Sequence, residues 1–261
     1  MSSSLPLTEH QLRIAHGALE QQHAQRKHLV LALTGAHAYG FPSPDSDLDL
    51  KGVHVLPTAA LVGLRMPDDH ASFAAVIEGV EIDYASNEIG QVLAGLLRGI
   101  GSYVERILGP WIVSTSPEHT ELAALCRGAL SRRVHAHYRG FASGQLREAM
   151  QSTTPTAKRV LYVLRTALTG THLLRTGELV TDLFALAEDH GFGHARELLE
   201  HKRVAERAPL PEATAQRWLS ETARVFDLLD DALAHSVLPE QPSNAAALEA
   251  WLIALRRRHF D

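Results

Sequence analysis

One cysteine, Cys126, occurs among 261 residues. A single thiol excludes an internal disulfide framework and any metal site built from clustered cysteines. No uninterrupted apolar run is long enough to span a bilayer. The opening Met1-Ser-Ser-Ser-Leu-Pro has no basic region leading into an apolar one, so it does not look like a secretory signal. These absences lead to the expectation of a cytoplasmic protein without a membrane partner. Net positive charge is also lacking: 25 Lys and Arg against 30 Asp and Glu leave −5. No global basic field therefore attracts nucleic acid. Positive charge is local, in Arg127, Arg132, Arg133 and Arg139, in Lys158, Arg159 and Arg165, and in Arg256, Arg257 and Arg258. Sixteen histidines are scattered without a His-Glu-x-x-His arrangement, and His135 and His137 would face different sides of a helix. A Gly-x-x-x-x-Gly-Lys-Ser/Thr loop is absent too, which excludes the P-loop way of holding phosphate.

What is present is an ordinary globular composition, 45% apolar and 21% charged, long enough to bury a core as one domain or two. Residues 8–26 read as a helix capped by Thr8. Leu29-Val-Leu-Ala-Leu33 is a short apolar run ending at Thr-Gly, which favours a buried strand closing on a turn. Pro42-Ser-Pro-Asp-Ser46 reads as a loop. Leu48–Leu56 alternates as a strand, with Gly52 marking a bulge or a close approach, and Val80–Tyr84 is a third strand. Helical spacing then begins at Ile89, with a second helix over Tyr103–Leu108. From Glu118 onward helices are expected over 118–148 with a break near 130, then 155–170, 181–190, 194–207, 212–235 and 244–259, punctuated by Gly and Pro. The expected class is α+β, with a small mixed-sheet domain over 1–115 and an all-helical domain over 116–261.

The chemistry concentrates in Leu33-Thr-Gly-Ala-His-Ala-Tyr-Gly40 and in Ser46-Asp-Leu-Asp-Leu50. Side chains at i and i+2 of a strand share a face, so Asp47 and Asp49 would present two carboxylates together while Leu48 and Leu50 turn to the core. Such a pair needs cations or solvent to offset its charge, and hard oxygen donors suit magnesium, which also binds substrate phosphates. Asp83 on the third strand could join them, with Glu81 of the same parity as the rival. Three carboxylates can bridge two divalent ions that clamp the attacking and leaving oxygens of an in-line displacement. Gly35 supplies a close-approach turn after the first strand, where backbone N–H groups can face an anion.

At these residues the chain resembles the DNA polymerase beta-like nucleotidyltransferase superfamily, with its glycine turn, its Asp-x-Asp pair and a later acidic residue on a strand. It is closest to a bacterial group that includes RNA-ligase-associated proteins linked to RNA repair. Gly35-Ala-His-Ala-Tyr-Gly40 is similar to that group's Gly-Ser-Arg-Ala-Tyr-Gly, and Ser46-Asp-Leu-Asp-Leu-Lys-Gly-Val53 to its Ser-Asp-x-Asp-x-Arg-Gly-Val. Tyr138–Gln145, Lys158–Arg165 and Leu173–Leu179 resemble its helical signatures. The resemblance implies that Asp47 and Asp49 bind catalytic and triphosphate-bearing Mg2+, with Mn2+ as an alternative, and that Asp83 completes the metal site and helps activate an acceptor hydroxyl. It implies an NTP donor contacted by Gly35, Ala36, His37, Ser46 and Lys51. It also implies attack on the α phosphorus and release of pyrophosphate. Lys158 and Arg165, two helical turns apart, are the candidates for phosphate or acceptor contacts from the helical part, with Tyr162 between them as a stacking or packing residue. RNA, especially a tRNA-like or damaged 3′ end, is the first acceptor class. A protein or small-molecule hydroxyl is the enzymatic alternative, and a catalytically weak nucleotide- or RNA-binding module is the other class.

Three positions depart from the pattern. Ala36 stands where the superfamily usually has Ser, removing a side-chain donor, and loss of one such donor elsewhere costs about 2.7–4 kcal/mol of transition-state stabilisation. His37 replaces Arg, and Lys51 keeps the charge of Arg without its planar fork.

Overall fold

The structure, a computed structural model, describes residues 5–23, 26–44, 46–151, 154–204 and 208–260. In chain order the first half contains α1 (Glu9–His23), β1 (Lys27–Thr34), the single turn α2 (Gly35–Ala38), β2 (Leu48–Val55), the single turn α3 (Thr58–Leu61), β3 (His70–Ile77) and β4 (Val80–Glu88). It continues with α4 (Ile89–Leu97), α5 (Gly101–Leu108), β5 (Ile112–Thr115) and α6 (His119–Gly128). The remainder is helical: α7 (Val134–Ala149), α8 (Ala157–Thr176), α9 (Leu183–Asp189), a 3-10 turn at Gly193–Ala195, α10 (Arg196–Val204), α11 (Glu212–Ala234) and α12 (Ala245–Arg258). The α+β class is therefore as expected. Residues 24–25 and 205–207, included in the helices expected over 8–26 and 194–207, lie outside the described residues.

Two compact units form, and neither is contiguous. One comprises Met1–Ala38, Ser46–Ala129 and Pro242–Asp261; the other comprises Tyr39–Asp45 and Leu130–Gln241. A division into 1–115 and 116–261 thus differs from the packing in three places. The physical reason lies in side chains that act over long sequence separations. Asn244 donates to the carbonyl of Leu125 at 2.8 Å, Trp251 donates to Glu121 at 2.8 Å, and Arg256 pairs with Glu88 at 2.6 Å. These contacts attach α12 to the same unit as α4 and α6.

That unit is built on a five-stranded sheet in the order β3-β4-β2-β1-β5. β1 pairs antiparallel with β2 and β5, β3 pairs antiparallel with β4, and β2 and β4 run parallel. The apolar run of β1 is buried on both faces, with α2 and α5 among the elements packed on the strand, whereas the alternating β2 starts with Leu48 and Leu50 fully buried and Asp49 only partly so. Across the parallel pair Leu48 lies opposite Ile82 and Leu50 opposite Tyr84, so one face of β2 and β4 is a packed layer. Gly52 marks a close approach rather than a bulge. A Cβ there would stand 2.8 Å from Ser86 Oγ and 3.1 Å from His28 Cδ2, while the β2–β4 register runs through it unbroken. β3 and β5 are edge strands that the sequence pattern did not disclose. β3 meets β4 through Glu78-Gly79, both at positive φ, the geometry of a tight hairpin turn.

The helical unit is organised on α8, whose side chains are buried nearly throughout. Thr156 caps its start by accepting from the Arg159 N–H, and Gly177 ends it in the left-handed conformation. Val160, Leu161, Val163, Leu164 and Leu168 give it a wide apolar face, which is buried among neighbouring helices of this unit. No helix among the described residues is long and apolar enough to cross a membrane.

Candidate active site

The parallel pairing of β2 and β4 puts Asp49 directly opposite Asp83. Neighbouring strands lie about 4.8 Å apart, so two like charges meet on one face unless something offsets them. Glu81 lies two residues earlier on β4 and pairs across to Val76 of β3. Of the two rivals, Asp83 is the one opposite Asp49. Asp47 is half-buried immediately before β2. Among the described residues no three His, Cys, Asp or Glu side chains gather closely enough to form a ready metal cluster.

Lys51 follows Asp49 by two residues and therefore shares its face. Its Nζ donates to Asp83 Oδ2 at 2.8 Å and lies 3.8 Å from Asp49 Oδ1. The ammonium is thus a cation already standing at the carboxylate pair. Its side chain is 19% exposed, against 24% for Asp49 and 51% for Asp83. Hard carboxylate oxygens are the donor type that suits a divalent ion such as Mg2+, and here the Lys51 ammonium stands at them.

The glycine turn is pressed against the same carboxylate. Gly35 has φ +68°, and a Cβ there would overlap Asp49 Oδ2 while standing 2.6 Å from its Cγ and 2.9 Å from its Cβ. Only glycine tolerates both the backbone and the contact. Thr34, the last residue of β1, adds a 3.3 Å hydrogen bond from its hydroxyl to the Asp49 carbonyl. Ala36 and His37 are buried within the α2 turn. His37 Nε2 lies 3.3 Å from the carbonyl oxygen of Ser46, the residue before Asp47. A carbonyl only accepts, so Nε2 carries the hydrogen and His37 ties the turn to the start of the acidic segment.

The opposite face of the sheet carries a buried polar layer. His28 Nε2 lies 2.7 Å from the Tyr84 hydroxyl, and His54 Nδ1 lies 2.8 Å from Ser86 Oγ. Burial, with the nearby His23, His54 and Arg26 charges, holds His28 down at about 3. Burial, then Arg26 and His70, lowers His54 to about 4. Burial also raises the Tyr84 phenol above its usual value. Cys126 is buried as well, and that burial pushes its thiol up to about 12, so it is not a nucleophile.

Lys158, Tyr162 and Arg165 lie on α8 in the helical unit, not in the unit that carries the carboxylates. Arg165 is buried, with its guanidinium carbon 3.6 Å from the centre of the Tyr39 ring. Tyr162 meets the rings of Tyr39 and Phe41 edge-on. Lys158 is half-buried on the first turn of α8. These placements suit packing for Arg165 and Tyr162.

The segment after the glycine turn has further anchors that sequence reasoning missed. Lys202, 1% exposed, donates to the Phe41 carbonyl at 2.9 Å and to Ser43 Oγ at 2.8 Å. The N–H of Leu183 donates to the Tyr39 carbonyl at 3.0 Å. Asp182 caps α9 by accepting from the N–H groups of Phe184 and Ala185. An aspartate before an apolar helix was a readable cap signal; Lys202, inside the charged run His201-Lys-Arg, offered none.

A mixed sheet that ends its first strand on a glycine turn and pairs carboxylates across neighbouring parallel strands is the arrangement of a polymerase beta-like nucleotidyltransferase. The model of the RNA repair pathway DNA polymerase beta family, RlaP, matches residues 13–254, and the chain belongs to that family. An uncharacterized protein of Methanocaldococcus jannaschii is 23% identical over 224 residues, covering 85% of this chain and 91% of that one. A solved structure of a nucleotidyltransferase-like protein from Exiguobacterium sibiricum covers 95% of this chain and 80% of its own, at 10% identity and a TM-score of 0.35. Family membership brings the superfamily's general reaction, transfer of a nucleotide.

Proposed function

We propose that the protein transfers a nucleoside monophosphate from an NTP to a hydroxyl acceptor at an RNA end and releases pyrophosphate. The observation that carries this reading is the register pairing of Asp49 with Asp83 beside the Gly35 turn. Membership in a family described by RNA repair supports RNA as the acceptor class.

Asp47, Asp49 and Asp83 would hold the divalent ion, Mg2+ or Mn2+. When bound, that ion supplies charge neutralisation at the triphosphate and acidifies the attacking hydroxyl. The Gly35–His37 turn lies along the triphosphate and offers backbone N–H groups, which compensates in part for the side-chain donor that Ala36 lacks. Ser46 and Lys51 complete the donor contacts. The acceptor oxygen forms a bond to the α phosphorus, the bond from that phosphorus to the α,β-bridging oxygen breaks, and pyrophosphate departs with its electron pair. The hydroxyl proton passes to Asp83, whose half-exposed carboxylate can hand it to water.

The test supplies each α-labelled NTP with Mg2+ or Mn2+ and total RNA or a protein extract. Label is expected on RNA, and it should vanish in Asp49→Asn and Asp83→Asn variants that keep wild-type circular dichroism. Equal labelling by wild type and both variants would overturn the assigned mechanism. Label on protein would replace the acceptor class, and NTP binding without transfer to any acceptor would make the protein a binding module.

A further inference from the structure

Two carboxylates side by side on adjacent strands repel, and in this chain the offsetting charge is supplied from within. Lys51 sits on the same face as Asp49, and its Nζ is surrounded by three oxygens of the pair: Asp83 Oδ2 at 2.8 Å, the Asp83 carbonyl at 3.4 Å and Asp49 Oδ1 at 3.8 Å. These are the oxygens that would attract a hard cation. β2 is paired on both sides, to β1 and to β4, so the position of the Lys51 backbone is determined by the sheet. The ammonium, by contrast, is at the end of a flexible four-carbon stem and can move without the strand moving.

We propose that Lys51 is the resident counter-cation of the Asp49–Asp83 pair, and that a divalent ion enters only as the Lys51 ammonium leaves. The inference rests on the reading that these carboxylates hold the metal. A monovalent and a divalent cation cannot share oxygens a few ångströms apart without strong repulsion, so entry of one expels the other. The metal-free protein is thereby spared the cost of bare paired carboxylates. Its affinity for a divalent ion alone is correspondingly low. A triphosphate arriving with the ion reverses this, because its negative charge pairs with both the ion and the released ammonium. Lys51 therefore couples metal binding to nucleotide binding and disfavours occupancy by either partner alone.

The experiment measures Mn2+ binding by electron paramagnetic resonance, with and without a non-hydrolysable NTP analogue, in wild type, Lys51→Met, Lys51→Gln, Lys51→Arg and Asp49→Asn. Lys51→Met and Lys51→Gln should bind Mn2+ alone about tenfold or more tighter than wild type, as removal of a nearby like charge requires. Lys51→Arg, which keeps the charge, should stay close to wild type. The analogue should tighten Mn2+ binding strongly in wild type and much less in the two neutral variants. Thermal unfolding provides an independent readout: Mn2+ alone should stabilise the neutral variants more than wild type. Two neutral replacements of different shape keep the test valid where one of them folds poorly. Equal or weaker Mn2+ binding in the neutral variants, with binding still lost in Asp49→Asn, would overturn the role of Lys51 and leave the metal assignment standing. Mn2+ binding that is indifferent to Asp49→Asn would overturn the metal assignment and this inference with it.

Discussion

Replacing Gly35 with alanine separates the two demands this position meets. The first is backbone: φ is +68°, and an L-residue held in the left-handed region costs about 1–2 kcal/mol. The second is contact: the new methyl would overlap Asp49 Oδ2 and stand only 2.6 Å from its Cγ, well inside carbon–carbon contact distance. Relief requires the carboxylate to rotate away or the turn to back off, by about 1 Å, and a misplacement of that size can cost about 10²-fold in rate. Gly79 offers a matched control. It has φ +81° in the β3–β4 turn, yet a Cβ there would meet nothing within 4 Å. Gly79→Ala should therefore lose about 1–2 kcal/mol from the backbone and Gly35→Ala at least as much, while only Gly35→Ala loses transfer activity by about two orders of magnitude. Urea unfolding measures the first quantity, and initial rates of label transfer at saturating NTP measure the second. Wild-type rates in Gly35→Ala, or an equal rate loss in Gly79→Ala, would refute the claim that the turn acts by positioning Asp49.

Asp83→Asn should abolish label transfer while Glu81→Gln leaves it within a few-fold of wild type, and the opposite ranking would move the third carboxylate to Glu81. Acidification should destabilise the sheet unit through His28 and His54. Their folded values near 3 and 4 lie below the ordinary 6.5, so the unfolded chain gains protons that the folded one refuses. Stability from this source is complete above about pH 6.5, falls by roughly 2 kcal/mol per histidine by pH 5, and continues to fall towards the folded values. Unfolding free energies at pH 7 and pH 5 measure this, and a His28→Asn/His54→Asn double variant should have a shallower dependence; an unchanged slope would refute the assignment. Lys202→Met should destabilise the helical unit by about 1–3 kcal/mol, because the Phe41 carbonyl and Ser43 hydroxyl lose their buried donor. Limited proteolysis would detect faster cleavage near residues 39–44, and wild-type resistance would count against the anchoring role.

The sequence made some of this legible because periodicity reports burial. The apolar run of β1, the Leu48/Leu50 alternation and the helical spacing from α4 to α12 each reflect burial, and these elements appear close to their expected bounds, except that α8 runs to Thr176, past the end expected at 170. β3 was harder because Ala71, Ala74 and Ala75 dilute its alternation at an exposed edge, and β5 is four residues long. Strand parity put Asp47, Asp49, Asp83 and Glu81 on candidate faces, but parity cannot say which strands pair or in what register. The parallel β2–β4 ladder makes that choice, opposing Asp83 to Asp49. The position of Lys51 Nζ at both carboxylates follows from the same ladder and was not visible as a bridge in the motif alone.

The discontinuity of the sheet unit also bears on biosynthesis. A ribosome delivers the strands and α6 first, but α12 emerges only after the whole of Leu130–Gln241 has been made. Until then Glu88, Glu121 and the Leu125 carbonyl lack the Arg256, Trp251 and Asn244 side chains that engage them. Completion of the carboxylate-bearing unit is thus the late event in the life of a nascent chain. A transcript or translation product cut short after the helical unit would carry every acidic residue of the site on a unit that still lacks α12.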